Sequence, residues 1–199
     1  IFIIMLPDIF QLIKKLDSLD YVVEEELATI LLLMLKLKKP LLLEGPPGVG
    51  KTEASQIIAS YLNTKLIRLQ CYEGLDVNSA VYEWNYQKQL LSIKLTESSA
   101  LSSAEKESHI FGDEFLLKRP LLQAITESDK APVLLIDEID RADEEFEAFL
   151  LELLSAYQIS IPEMGTIKAN HIPIVVLTSN RTRELSDALK RRCLYHCVP

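Results

Sequence analysis

Cysteine is scarce in this chain, and its scarcity excludes a class of fold. Three cysteines, Cys71, Cys193 and Cys197, among 199 residues are too few for a disulfide-stapled scaffold and suit a reducing cytosol. Long apolar runs are missing too. The richest stretch, "ILLLMLKLKKPLLL" from Ile30 to Leu43, is interrupted by Lys36, Lys38, Lys39 and Pro40, well short of the roughly 20 residues a membrane span needs. The opening "IFIIMLPD" has no basic n-region and no small-residue cleavage site, so it makes a poor signal peptide. An excess of positive charge is likewise absent. The net charge is −8, with acids and bases interspersed, which argues against broad binding to a nucleic-acid backbone. Glycine is thin at six residues, yet three of them fall between positions 45 and 50, and that concentration is itself a signal. The expectation is a cytoplasmic, soluble protein with no membrane or nucleic-acid partner.

What is present reads as a core of ordinary size, with 48% apolar and 25% charged residues. Ile9, Leu12, Ile13 and Leu16 recur at helical spacing, as do Leu27, Ile30, Leu31, Met34 and Leu35. "PLLLEG", "KLIRLQC", "APVLLIDEID", "HIPIVVLTSN" and "CLYHCV" read as strands. Helical faces lie between them, at Ala54, Ile57, Ile58, Tyr61 and Leu62 and at Phe146, Phe149, Leu150 and Leu153. Tyr72 to Thr96 is ambiguous and leans weakly to helix. Thr96 to Ser108, polar and serine-rich, reads as a mobile loop. "QISIPEMGTIKA" alternates about a Pro-Glu-Met-Gly turn and predicts a hairpin. No internal repeat is visible. Strands separated by helices imply a mostly parallel sheet covered on both faces, with ligands bound beyond the carboxyl ends of the strands.

"GPPGVGKT", comprising Gly45, Pro46, Pro47, Gly48, Val49, Gly50, Lys51 and Thr52, fits the G-x-x-x-x-G-K-[ST] pattern. Glycines let backbone amides curl around phosphate oxygens, and the helix that follows adds its positive N-terminal end. Lys51 would reach the terminal phosphates of ATP, and Thr52 would hold Mg²⁺. "VLLIDEID" sets Asp137 and Glu138 at the tip of a buried strand. A carboxylate there helps hold Mg²⁺, and an adjacent glutamate can act as general base toward water, which favours hydrolysis over transfer. The following acids, Asp140, Asp143, Glu144 and Glu145, fit a solvated helix start.

With GPPGVGKT, VLLIDEID, "LTSN" and "ALKRRC" in this order, the chain resembles an AAA+ ATPase core over residues 24–199, after an N-terminal helical segment at 1–23. The resemblance implies a P-loop αβα sandwich whose five core strands run in the order 5-1-4-3-2, plus a β-hairpin insertion. It implies that Asn180 acts as sensor 1, that Gln70 at the end of the second strand holds the catalytic glutamate inactive, and that Arg192, or else Arg191, reaches the nucleotide of the next subunit. "DEIDRADEEFEAFLLELLS" and the hairpin are similar to the MoxR branch. "LIRLQCYEGLDVNSAVYEWNYQKQLL" and "FLLKRPLLQAI" resemble its CoxD-like members. This implies a ring, normally a hexamer, that remodels proteins, with a von Willebrand A-type partner and a metalloenzyme client undergoing cofactor maturation. Family members carry a helical lid after the fifth strand. The chain starts on Ile1, ahead of its first methionine Met5, and stops at Pro199 before any such lid, so it reads as a fragment.

Smaller features leave alternatives. Arg141 either contacts a neighbouring subunit or pairs with Glu144 or Glu145. Cys193, His196 and Cys197 make poor metal geometry and read better as buried strand residues. His109 and His171 carry no identifiable role. Trp84, Tyr82 and Tyr86 either face a substrate or pack. Two rival functions stand beside the remodelling ATPase: a DNA-linked clamp or helicase loader, which the acidic charge disfavours, and a nucleotide-binding module without turnover.

Overall fold

The computed structural model describes residues 2–96 and 109–199, with side chains for 8–95 and 109–199. In chain order, helices α1 (Phe2–Asp17) and α2 (Glu25–Leu37) precede β1 (Leu41–Glu44), α3 (Lys51–Leu62) and β2 (Leu66–Gln70). Then come α4 (Val77–Val81), β3 (Tyr82–Trp84), α5 (Tyr86–Thr96), β4 (Leu116–Lys118), α6 (Pro120–Thr126), β5 (Val133–Asp137) and α7 (Glu144–Ala156). The hairpin strands β6 (Gln158–Ile161) and β7 (Gly165–Lys168), then β8 (Ile174–Ser179), α8 (Asp187–Arg192) and β9 (Leu194–Cys197), complete the order. The serine-rich stretch read as a loop lies outside the described residues apart from Thr96, which ends α5.

Five strands form one parallel sheet in the order β2-β5-β8-β1-β9. Counted along the chain, these are the five strands of the expected 5-1-4-3-2 order, seen from the other edge. The central strands are apolar up to their carboxyl ends, at Glu44, Asp137 and Thr178–Ser179, because both faces are covered. Leu42, Leu134, Ile136, Val175 and Leu177 point into one cluster with α6, α7 and Leu189 of α8. Leu41, Leu43, Val133, Leu135 and Val176 point into the other, with Ile9, Leu12 and Leu16 of α1, the inner face of α2, and Ala54, Ile57 and Ile58 of α3. Leu41, Leu42 and Leu43 are fully buried, each worth about 1.5–3 kcal/mol on burial. That anchors β1 in mid-sheet and delivers Gly45 to the strand ends. Among the described residues no helix is long and apolar enough to cross a membrane.

Three sequence expectations need correction. Tyr72 to Thr96 is not simply helical: β3 interrupts it and pairs antiparallel with β4. Trp84 causes the break, because it is buried and packs edge-on against Tyr82 and Phe111, with ring centroids 6.1 and 5.3 Å away. Arg141 does not pair with Glu144 or Glu145. It lies on a separate single turn before α7 and binds Glu138 instead. Cys197 is exposed and His196 only half-buried, because β9 is an edge strand with β1 on one side alone, while Cys193 is not a strand residue but caps α8, half-buried against the core. The hairpin forms as the turn residues require, with Gly165 at φ 79°.

Candidate nucleotide site

The loop between β1 and α3 depends on its glycines for two different reasons. Gly48 and Gly50 sit at φ 87° and 86°, where a side chain would be strained. Gly45 is needed for space, since a Cβ there would lie 2.3 Å from the Val198 carbonyl oxygen. Val198 approaches this closely because its N–H donates to the Glu44 carbonyl at 2.7 Å. Gly50 caps α3 without any side-chain acceptor, so the first amides of α3 remain available to an anion. Lys51 is buried and donates from Nζ to the carbonyls of Gly45 and Pro46, at 2.7 Å each. Burial lowers its pKa, with Asp140, Asp137 and Glu138 pulling the other way.

β5 carries Asp137 to the same place. Asp137 is buried and accepts from Thr52 Oγ1, at 3.2 Å to Oδ1 and 3.4 Å to Oδ2. It also accepts from the Thr178 hydroxyl and from Arg68, whose Nε is 3.0 Å from Oδ2. Glu138 leaves the strand at φ 56°, in left-handed backbone space. Its N–H donates to Thr178 Oγ1 at 2.9 Å. Its carboxylate accepts from Asn180 Nδ2 at 3.3 Å and pairs with Arg141 Nε at 2.9 Å. Lys51, Thr52, Arg68, Asp137, Glu138 and Asn180 all line one cleft of about 430 Å³. The hydroxyl and carboxylate of Thr52 and Asp137 form the hard oxygen pair that suits Mg²⁺.

Sequence reasoning missed several residues that build this site. Asp140 is buried and accepts from the Asn180 N–H at 3.2 Å, the Thr182 N–H at 2.8 Å and Thr182 Oγ1 at 2.6 Å. Burial raises its pKa, but the Thr182 and Asn180 hydrogen bonds outweigh that and hold the carboxyl below its ordinary value. It therefore fixes the β8 exit that carries Asn180, and is more than a solvated acid after the pair. Arg183 then donates to the Ala142 carbonyl at 2.7 Å and pairs with buried Glu147 of α7. Glu147 in turn accepts the Ser186 N–H at 3.0 Å, just where α8 begins. The isolated acid Glu147 in the otherwise apolar face of α7 was the available signal.

Other predicted residues make no hydrogen bond to Glu138. Gln70 accepts from Arg68 Nη2 at 2.6 Å and donates to the Cys71 carbonyl at 3.5 Å, while Glu138 is held by Asn180 and Arg141. Arg191 and Arg192 end α8, both exposed and outside the cleft, and among the described residues neither side chain is engaged by a hydrogen bond or ion pair. Cys71, beside the site, is buried, and burial together with Asp137, Asp140 and Glu138 pushes its thiol up to about 12.

Comparison with known proteins bears on the family and the fold. Residues 40–193 match the model of the AAA domain (dynein-related subfamily). No curated protein sequence matches. Among solved structures, a candidate ATPase from Cytophaga hutchinsonii is similar at 17% identity and a TM-score of 0.62, covering 97% of this chain and 50% of that one. A mutant of RuvB from Thermotoga maritima is similar at 20% identity and a TM-score of 0.53, covering 92% and 48%. The chain thus spans about half the length of each, and at these identities the likeness shows the fold, a P-loop AAA+ core. The family match spans the phosphate loop, the acid pair and the α8 arginines together, and on that ground the chain belongs to the dynein-related subfamily of AAA domains.

Proposed function

We propose that this chain hydrolyses ATP in a Mg²⁺-dependent reaction completed by a neighbouring copy. The observation that carries the proposal is the convergence of Thr52, Asp137, Glu138 and Asn180 on the cleft beneath Lys51. Residues Gly45 to Thr52 bind the phosphates, with Lys51 leaving its carbonyl partners for the terminal oxygens. Thr52 and Asp137 would hold Mg²⁺, which when bound offsets charge on the phosphates. Glu138 takes the proton of the attacking water, and Asn180 orients Glu138 and that water. Gln70 acts on the glutamate only if the Arg68 contact is released. Arg192, or Arg191 in its place, stabilises developing charge on the nucleotide of the adjacent subunit, a contribution of about 10³- to 10⁵-fold where such fingers operate.

The role of this hydrolysis follows from sequence likeness. The segments similar to MoxR and CoxD-like proteins support a ring, hexameric in the first instance, that remodels a client metalloenzyme during cofactor maturation with a von Willebrand A-type partner. The acidic surface supports a protein client over DNA. Phosphate release by the intact protein, compared with Lys51→Ala, tests the enzymatic reading. Release with Mg²⁺ that disappears in the variant, together with nucleotide binding, is the expected result. Equal release from both proteins contradicts it.

A further inference from the structure

A carboxylate as buried as Asp137 needs a counter-charge, because two neutral hydroxyls do not offset its desolvation. The chain supplies one from the adjacent strand. In the parallel register Gln70 lies directly beside Asp137, and Arg68 lies beside Leu135 on the same face of β2 as Gln70. The Arg68 guanidinium reaches along the strand and donates to Asp137 Oδ2 from Nε at 3.0 Å and from Nη2 at 2.5 Å. Nη2 also reaches Gln70 Oε1 at 2.6 Å. Lys51, the other cation lining the cleft, is turned toward two loop carbonyls. Arg68 is therefore the direct counter-ion of the carboxylate that, with Thr52, suits the divalent cation.

A guanidinium and a divalent ion both require the in-plane lone pairs of this carboxylate, and the Thr52 hydroxyl lies 3.4 Å from the oxygen that Arg68 occupies. We propose that Arg68 is a built-in competitor for the metal: it neutralises Asp137, and Mg²⁺ must displace it to bind with nucleotide. The side chain has somewhere to go, since it is half exposed and Gln70 keeps an acceptor within reach. Nucleotide without metal leaves the pair intact, whereas nucleotide with metal breaks it. The inference rests on the ATPase reading of the site, and it gives β2 a function at the metal position that neither the phosphate-loop nor the acid-pair motif contains.

The test is the affinity for a fluorescent ADP analogue, measured in excess EDTA and again in saturating Mg²⁺, for the unaltered protein and for Arg68→Gln. The gain in affinity that magnesium brings should rise by about tenfold or more in the variant, because the metal no longer displaces an ion pair. Arg68→Lys keeps the charge but not the planar fork, and should raise the gain by about threefold. It serves as the test if Arg68→Gln fails to fold. A gain that is unchanged or smaller in the variants overturns the proposal while binding in EDTA leaves the ATPase reading standing. Failure of the unaltered protein to bind the analogue under either condition overturns both.

Discussion

Glu138 holds a left-handed backbone conformation that costs a non-glycine residue on the order of 1 kcal/mol or more, and its neighbours over-determine it. Thr178 takes its amide, while Asn180 and Arg141 take its carboxylate. The acid itself was legible in the sequence, since two acids directly after four apolar residues mark a strand tip. Its partners were not: Arg141 was visible as a base near acids, but only the turn after β5 decides which acid it meets. Asp140 is the same lesson in reverse, an apparent helix-start acid that receives three hydrogen bonds from the β8 exit. Asp140→Asn should cost about 1–3 kcal/mol in thermal unfolding at neutral pH, because buried donors lose a charged acceptor. Its folded pKa is depressed, so its stabilisation is complete above the unfolded value of about 4 and is lost as pH falls through the lower folded value. The variant should lack that part of the acid dependence. Gly45→Ala should destabilise by about 1–3 kcal/mol, since the Val198 carbonyl and β9 must move. An unchanged melting temperature would show that β9 yields freely.

At the level of elements, the apolar strands and helical faces were readable because burial on both sides of a parallel sheet leaves continuous runs and 3.6-residue stripes. The β3–β4 pair was not readable. Its strands are three residues each, too short for a period, and they form because Trp84 is buried between Tyr82 and Phe111. Nor did composition foretell the exposure of Cys197, which follows from β9 lying at the sheet edge. The track from β5 through α7 to α8 is held by Arg183, Glu147 and the Ser186 amide. Arg183→Met leaves Glu147 buried without its cation and should cost about 3 kcal/mol in chemical denaturation. It should also loosen α8, measured as faster amide exchange at Leu189 and Lys190. Global destabilisation without that local change would mean that the ion pair serves the core alone.

On the scale of the whole molecule, the acid pair and the paired arginines of α8 do not share one cleft. The acid pair lines the cleft at the sheet's carboxyl edge, and the exposed arginines of α8 stand outside it. If Arg192 acts in trans, an Arg192→Ala protein should bind ATP and hydrolyse about 10³-fold more slowly or worse. Mixing it with a Glu138→Gln protein should restore part of the activity, because the second protein lends its arginine to the intact acid of the first. Absence of recovery in verified mixed assemblies would place Arg192 outside the neighbour's site and turn attention to Arg191. The central claim is narrower: this cleft is a hydrolytic centre whose base is Glu138. The most direct test measures ATP binding and phosphate release by Glu138→Gln beside the unaltered intact protein. Unchanged binding with phosphate release lowered by about 10²- to 10⁴-fold is the predicted result, and phosphate release at the unaltered rate would contradict it.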